Sequence, residues 1–181
     1  MVLLGDSGVG KKEIRERYLG RGFQSKYMMT VGADFALKET VIDGRPVKFR
    51  IWDLAGQQRF NAVRSVYYLG ALGGLLVFDV TRRESFERAS VWIKELWTNN
   101  GKGIIPLVIL GNNSDKRDSC PDSISRETAL NYANKLSEQT RPLGFSVTYY
   151  DTNPKTGLNV SRAFEDIARL YFQYLEKQRK K

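Results

Sequence analysis

Eight residues near the start of the chain, Gly5-Asp6-Ser7-Gly8-Val9-Gly10-Lys11-Lys12, constrain the fold more than any other stretch. They follow a short apolar run, Val2-Leu3-Leu4, and open a segment of helical character at residues 11–19. Glycines let the backbone curl so that several N–H groups point at one anion. The helix that follows adds the positive end of its dipole. Lys11 adds a full charge for a terminal phosphate. Glycine, four residues, glycine and lysine is the spacing of a phosphate-binding loop. The plainer reading is a glycine-rich turn and nothing more. A strand before, a helix after and a lysine in register favour phosphate binding, with Asp6, Ser7, Gly8, Val9, Gly10, Lys11 and Lys12 lining the anion.

Downstream, short apolar runs alternate with longer segments of helical period, the pattern of βαβ units around a mainly parallel sheet. Residues 35–42 and 47–54 read as strands. In the second, Val47, Phe49 and Ile51 alternate with Lys48 and Arg50, a period of two. Asp43-Gly44-Arg45-Pro46 between them has turn chemistry, which predicts a hairpin. Leu75-Leu76-Val77-Phe78 and residues 107–110 are continuous apolar runs, as buried central strands require. Residues 84–98 read as one helix, with Phe86, Ala89, Ile93 and Leu96 on one face. Residues 126–139 read as another, with Ser125 placed as its N-cap. Residues 146–150 form the last strand, and Val160, Phe164, Ile167, Tyr171 and Leu175 stripe the final helix. Residues 116–123 are polar, contain a proline and read as a loop.

The 181 residues fit one domain, with residues 177–181 as a short basic tail. The single cysteine, Cys120, excludes an internal disulfide. No apolar run approaches the roughly 20 residues of a membrane span. The start is too short for a signal peptide, and the last residues carry no cysteine for a prenyl group. The expected location is therefore cytoplasmic, with at most peripheral membrane contact. The net charge of +9 attracts polyanions, which motivates a reading as a basic adaptor. No nucleic-acid motif supports that reading.

The residue after Lys11 breaks the phosphate-loop pattern. That position calls for Ser or Thr, whose hydroxyl ligates Mg²⁺. Lys12 has three donors and no acceptor lone pair, and its charge repels a cation. Three outcomes stay open: weak Mg²⁺ binding, a Lys12 side chain turned away with water in its place, or an ammonium that partly replaces the metal charge.

Further motifs appear in a fixed order. Thr30-Val31-Gly32-Ala33-Asp34-Phe35 resembles the switch I segment of Rab proteins of the Ras superfamily. Trp52-Asp53-Leu54-Ala55-Gly56-Gln57-Gln58-Arg59-Phe60 resembles their switch II signature. Tyr67-Tyr68-Leu69-Gly70-Ala71, then Phe78-Asp79-Val80-Thr81, continue the series. Gly111-Asn112-Asn113-Ser114-Asp115 stands at the guanine-recognition position, and Thr152-Asn153-Pro154-Lys155 resembles the last nucleotide loop. The resemblance spans nearly the whole chain. It implies a P-loop NTPase fold: a three-layer α/β/α domain whose six-stranded sheet is mostly parallel, with one antiparallel edge strand from the hairpin.

The resemblance also assigns roles. Thr30 senses the γ-phosphate and, with Asp53, holds Mg²⁺. Gly56 brings its N–H to the γ-phosphate, and Gln57 orients the attacking water as the catalytic residue. Asn112 braces the base loop. Asp115 accepts two N–H bonds from guanine, a pair that adenine does not present. Asn113 stands where the family has a lysine covering the base, and is too short for that role. Pro154 stands where a backbone N–H normally meets the guanine carbonyl, and has none. Asn153 and Lys155 complete that loop. Base binding is expected to be weaker by about 1–2 kcal/mol.

The implied function is a GTP/GDP switch that hydrolyses GTP slowly. The alternative is a nucleotide-binding adaptor with little or no turnover, because losing a metal ligand harms catalysis more than phosphate binding. The implied ligands are guanine nucleotide and Mg²⁺, the metal weakened by Lys12. The implied partners are effectors, an exchange factor or a GTPase-activating protein, which bind a monomer through segments 26–35 and 53–68.

Overall fold

The two central strands of the sheet are buried along their whole length, and the rest of the architecture follows from covering them. The structure, a computed structural model, describes residues 1–21, 32–56 and 61–180, with backbone alone at 61–63. The strands are β1 (Val2–Leu4), β2 (Ala33–Ile42), β3 (Arg45–Leu54), β4 (Gly74–Asp79), β5 (Leu107–Asn112) and β6 (Thr148–Asp151). The helices are α1 (Lys11–Tyr18), α2 (Asn61–Tyr68), α3 (Arg83–Glu87), α4 (Ala89–Asn99), α5 (Arg126–Thr140) and α6 (Val160–Arg179). Spatial order in the sheet is β2-β3-β1-β4-β5-β6. Every pairing is parallel except β2 with β3. This is the six-stranded, mostly parallel sheet with one antiparallel edge strand that the sequence implied.

Along β4 the side chains alternate between two cores. Leu76 and Phe78 join Trp92, Leu96 and Ile109 on one face. Leu75 and Val77 join Ile14, Leu110 and Phe164 on the other. That period of two explains why the apolar run is continuous: both faces meet helices. Each such side chain stabilises the fold by about 1.5–3 kcal/mol on burial. Across α1 and α6, Tyr18 stacks on Phe164 with centroids 3.7 Å apart.

Several boundaries differ from the sequence reading. The hairpin turn is two residues, Asp43 and Gly44, with φ of 50° and 75°. Positive φ at both positions is the type I′ turn whose twist matches the strands. Pro46 therefore lies inside β3, paired with Val41. It is tolerated because β1 pairs with β3 only further along, at Trp52 and Asp53, so no sheet bond needs its missing N–H. The helix expected over 84–98 is two helices, broken at Arg88. The last strand begins at Thr148 rather than 146, because the Val147 N–H donates to Ser137 Oγ of α5 instead of a strand. Part of the expected 116–123 loop is a 3-10 helix, Ser114–Ser119. Ser125 caps α5 as expected, accepting from the Thr128 N–H.

Candidate functional site

Parallel strands end together, so the loops that leave them gather at one edge. Leu3 of β1 lies beside Asp53 of β3, Asp79 of β4 beside Asn112 of β5, and Gly111 beside Asp151 of β6. The sheet order reverses direction around β1, which is where open α/β sheets take their ligands.

The loop from Gly5 to Gly10 turns through φ of 134° at Gly5, 74° at Gly8 and 94° at Gly10. Two of these glycines also have no room for a side chain. A Cβ at Gly5 would stand 2.1 Å from the Val77 carbonyl oxygen, and one at Gly10 would stand 2.1 Å from Asn112 Nδ2. Lys11 Nζ donates to the carbonyls of Gly5, at 2.7 Å, and Asp6, at 2.8 Å. Burial lowers its pKa to about 8, although Asp53 and Asp6 oppose the shift. The loop is tied from outside. Asn112 Nδ2 donates to the Val9 carbonyl at 2.8 Å, and Arg82 to the Ser7 carbonyl at 3.0 Å. The Asp6 carboxylate is turned away from the loop interior. It accepts from Trp92 Nε1 at 2.8 Å and pairs with Arg88 at 3.3 Å, both beside α4.

Gly56 packs against this loop. A Cβ there would meet Ser7 N at 2.2 Å, so only glycine brings the two backbones this close. Thr30 and Gln57 lie outside the described residues, as do segment 26–31 and residues 58–60. Asp53 is fully buried at the end of β3. Lys12 is half-buried in the first turn of α1, and its charge helps to hold Asp34 ionised.

Arg15, one helical turn after Lys11, enters the site as well. Its Nη2 donates to Asp34 Oδ2 at 2.6 Å, and its Nη1 lies 3.7 Å from Asp53 Oδ2. Burial works against its charge, but hydrogen bonds to Glu16 and Asp34 outweigh that and raise its pKa. Burial pushes Asp34 up, and Arg15 reverses this and holds it below the usual carboxylate range. Among the described residues no group of three His, Cys, Asp or Glu gathers to hold a metal ion. Among the described residues, the donors at the expected Mg²⁺ position fit a divalent cation poorly. Lys12 offers no lone pair, and the Asp53 carboxylate faces a fixed guanidinium.

The two loops expected to hold the base, at 112–115 and 152–155, are tied to each other. Thr152 Oγ1 donates to Asn112 Oδ1 at 3.2 Å, and the Ser114 N–H donates to the Thr152 carbonyl at 3.3 Å. Asn113 takes φ of 58°, and its Nδ2 donates to Asp79 Oδ2 at 2.8 Å. Its side chain is thus drawn to β4. Asp115 and Lys155 are exposed, while Asn153 and Pro154 are buried. Asn153 Oδ1 accepts from the Lys155 N–H at 2.9 Å, which shapes the turn.

Beside the switch segments, Phe35, Trp52 and Tyr67 form an aromatic row, with centroids 4.7 and 5.2 Å apart. Phe35 is exposed, as are Leu37, Val66 and Leu69 nearby in sequence. Sequence reasoning missed this row and the roles of Arg15, Arg82, Arg88 and Trp92. Only Arg15 left a signal: it stands at i+4 from Lys11, on the same helix face.

Residues 1–173 match the model of the Ras family. The chain is 36% identical over 178 residues to the Ras-related protein RABA2a of Arabidopsis thaliana, covering 98% of this chain and 76% of that one. It is 35% identical over 169 residues to the Ras-related protein Rab-13 of Rattus norvegicus, covering 93% and 77%. A similar match, 36% over 178 residues, is to Rab11E of Lotus japonicus, covering 98% and 76%.

Proposed function

Because the chain belongs to the Ras family, it is a GTP-binding small GTPase of the switch type, and we propose that it holds GTP and GDP in the Gly5–Lys11 turn and hydrolyses GTP slowly. The observation that carries this reading is Lys11. Its buried ammonium donates to loop carbonyls, and a buried charge is costly without an anion to meet. Its Nζ sits on the carbonyls of Gly5 and Asp6, inside a loop that turns through positive φ at Gly5, Gly8 and Gly10. A phosphate there gains those amides, the α1 dipole and the Lys11 charge together.

Gly56 supports the switch. Its close packing on the phosphate loop supports a role for its backbone N–H toward a terminal phosphate. Thr30 and Gly56 hold their segments to the γ-phosphate, and its loss releases them. Gln57 orients the attacking water. Asp115 selects guanine over adenine through its paired N–H acceptor geometry. Lys155 covers the base, Asn112 braces the loop, and Asn153 and Pro154 shape its far wall. Partner proteins read the switched segments 26–35 and 53–68, with Phe35, Trp52 and Tyr67 as the apolar part of that surface. Aromatic side chains with exposed faces are what such interfaces favour.

The second reading, a binding module with little turnover, is favoured by Lys12. Mg²⁺ supplies charge stabilisation to phosphoryl transfer when bound. Lys12 and Arg15 weaken its hold without removing the amide-lined turn. Family members generally bind guanine nucleotide with Mg²⁺, and Lys12, in place of the hydroxyl ligand, marks where this chain departs.

The test is the nucleotide that the purified protein retains, identified by chromatography, together with melting in the presence of GTP, GDP and ATP. GDP or GTP should be retained, and guanine nucleotides should raise the melting temperature more than ATP does. An empty protein whose melting temperature neither GTP nor GDP moves would refute the reading. Single-turnover hydrolysis then separates a slow GTPase from a module without turnover.

A further inference from the structure

Three carboxylates from three elements share one guanidinium. Arg15 lies in α1, and its side chain is only 4% exposed. Its Nη2 donates to Glu16 Oε1 at 2.8 Å and to Asp34 Oδ2, at the start of β2, at 2.6 Å. Its Nη1 lies 3.7 Å from Asp53 Oδ2, at the end of β3. That separation is too long for a hydrogen bond. Nη1 is buried with no hydrogen-bond partner among the described residues. It therefore keeps donor capacity beside the Asp53 carboxylate.

Asp53 is fully buried, and a buried carboxylate needs a compensating charge. A bound divalent ion is one way to supply it, and Arg15 is another that cannot dissociate. The guanidinium stays protonated at any working pH, and its planar fork suits several carboxylates at once. Lys12, three residues earlier, removes the hydroxyl ligand that a metal would want and adds a second cation.

We propose that Arg15 is a resident cation that takes over the charge balance of a divalent ion at this site, so that guanine nucleotide is retained equally with and without Mg²⁺. The inference rests on the nucleotide reading above. It differs from assigning the effect to Lys12 alone, because Lys12→Ser restores a hydroxyl but leaves Arg15 facing Asp53. Asp34 stands at the start of the edge strand, so the same guanidinium also pins β2 to the site whether or not a metal is present. Arg15 is thus a positioning residue, acting through Asp53 and Asp34.

Release of mant-GDP from the full chain, in millimolar Mg²⁺ and in EDTA at equal ionic strength, tests this. Wild type and Lys12→Ser should release nucleotide at rates that differ less than about threefold between the two buffers, under ~0.7 kcal/mol. The double variant Lys12→Ser with Arg15→Gln should release it at least about tenfold faster in EDTA than in Mg²⁺, ~1.4 kcal/mol. Circular dichroism confirms that each variant is folded. If Arg15→Gln does not fold, Arg15→Lys, which keeps the charge, is compared with wild type and should stay insensitive to EDTA. Tenfold faster release from wild type in EDTA overturns the inference alone. So does a tenfold metal effect in Lys12→Ser, in Arg15→Lys, or none in the folded double variant. Absence of mant-GDP binding in both buffers overturns the nucleotide reading, and this inference with it.

Discussion

The two ends of the site are built differently. At the phosphate end the functional groups are buried and cross-braced. Lys11, Asp6 and Asp53 are buried, and side chains from α1, α4 and β5 reach into or around the loop. At the base end Asp115 and Lys155 stand in solvent, Asn113 is drawn away to Asp79, and Pro154 offers no N–H. Preorganised groups in a low-dielectric setting bind charge strongly, whereas exposed ones compete with water. On the proposed reading, the contrast places affinity with the phosphates and makes discrimination among bases the weaker function.

The largest expected break in that contrast is Lys11→Ala, which removes the buried cation. Mant-GDP titration should show affinity falling by about a hundredfold, ~2.7 kcal/mol. Gly10→Ala should come next, because it forces a Cβ against Asn112 at a backbone φ that suits glycine. Denaturant melts should show a loss of about 1–3 kcal/mol. Asn113→Lys should sharpen the weak end instead. The longer stem can cover the base, and GDP affinity should rise by about 1–2 kcal/mol while phosphate-only ligands such as pyrophosphate gain less. Trp92→Phe deletes the indole donor to Asp6 but keeps a ring. Its expected cost is about 1 kcal/mol of stability, with a smaller change in nucleotide affinity.

Proton linkage provides a finer test of the buried end. Burial lowers Lys11 from its ordinary 10.5 to about 8. Between those values the folded, ligand-free chain binds fewer protons than the unfolded chain. Its stability should therefore rise with pH through that window, as far as Lys11 sets it. A bound phosphate favours the charged ammonium, so nucleotide affinity should fall as pH rises above about 8. Opposite slopes for melting temperature and affinity would support the buried ammonium as the phosphate partner. Parallel slopes would argue against it.

Much of the candidate site could be read from the sequence because it lies in contiguous stretches. Gly5 to Lys11, Asp53 to Gly56, and Asn112 to Asp115 each carry their chemistry in one loop, and the order of the loops told which fold must bring them together. The helix break at Arg88 was not legible, because the periodicity of Phe86, Ala89 and Ile93 runs through it. The start of β6 was missed because a hydroxyl on α5 diverts the Val147 N–H. The proline in the hairpin misled the turn reading, since local propensity favours a turn while the free side of β3 permits a strand.

The amino-acid order alone determined that a curled, lysine-bearing loop sits between a buried strand and a helix, and that the alternating apolar runs close into a mostly parallel sheet. Those are consequences of local backbone freedom and of periodicity, which neighbours in the chain set. What Arg15 faces, where Asn113 is drawn and which helix anchors Asp6 were decided only by tertiary structure. Each depends on charges and donors brought together from distant segments. No local rule states which buried carboxylate a guanidinium will meet.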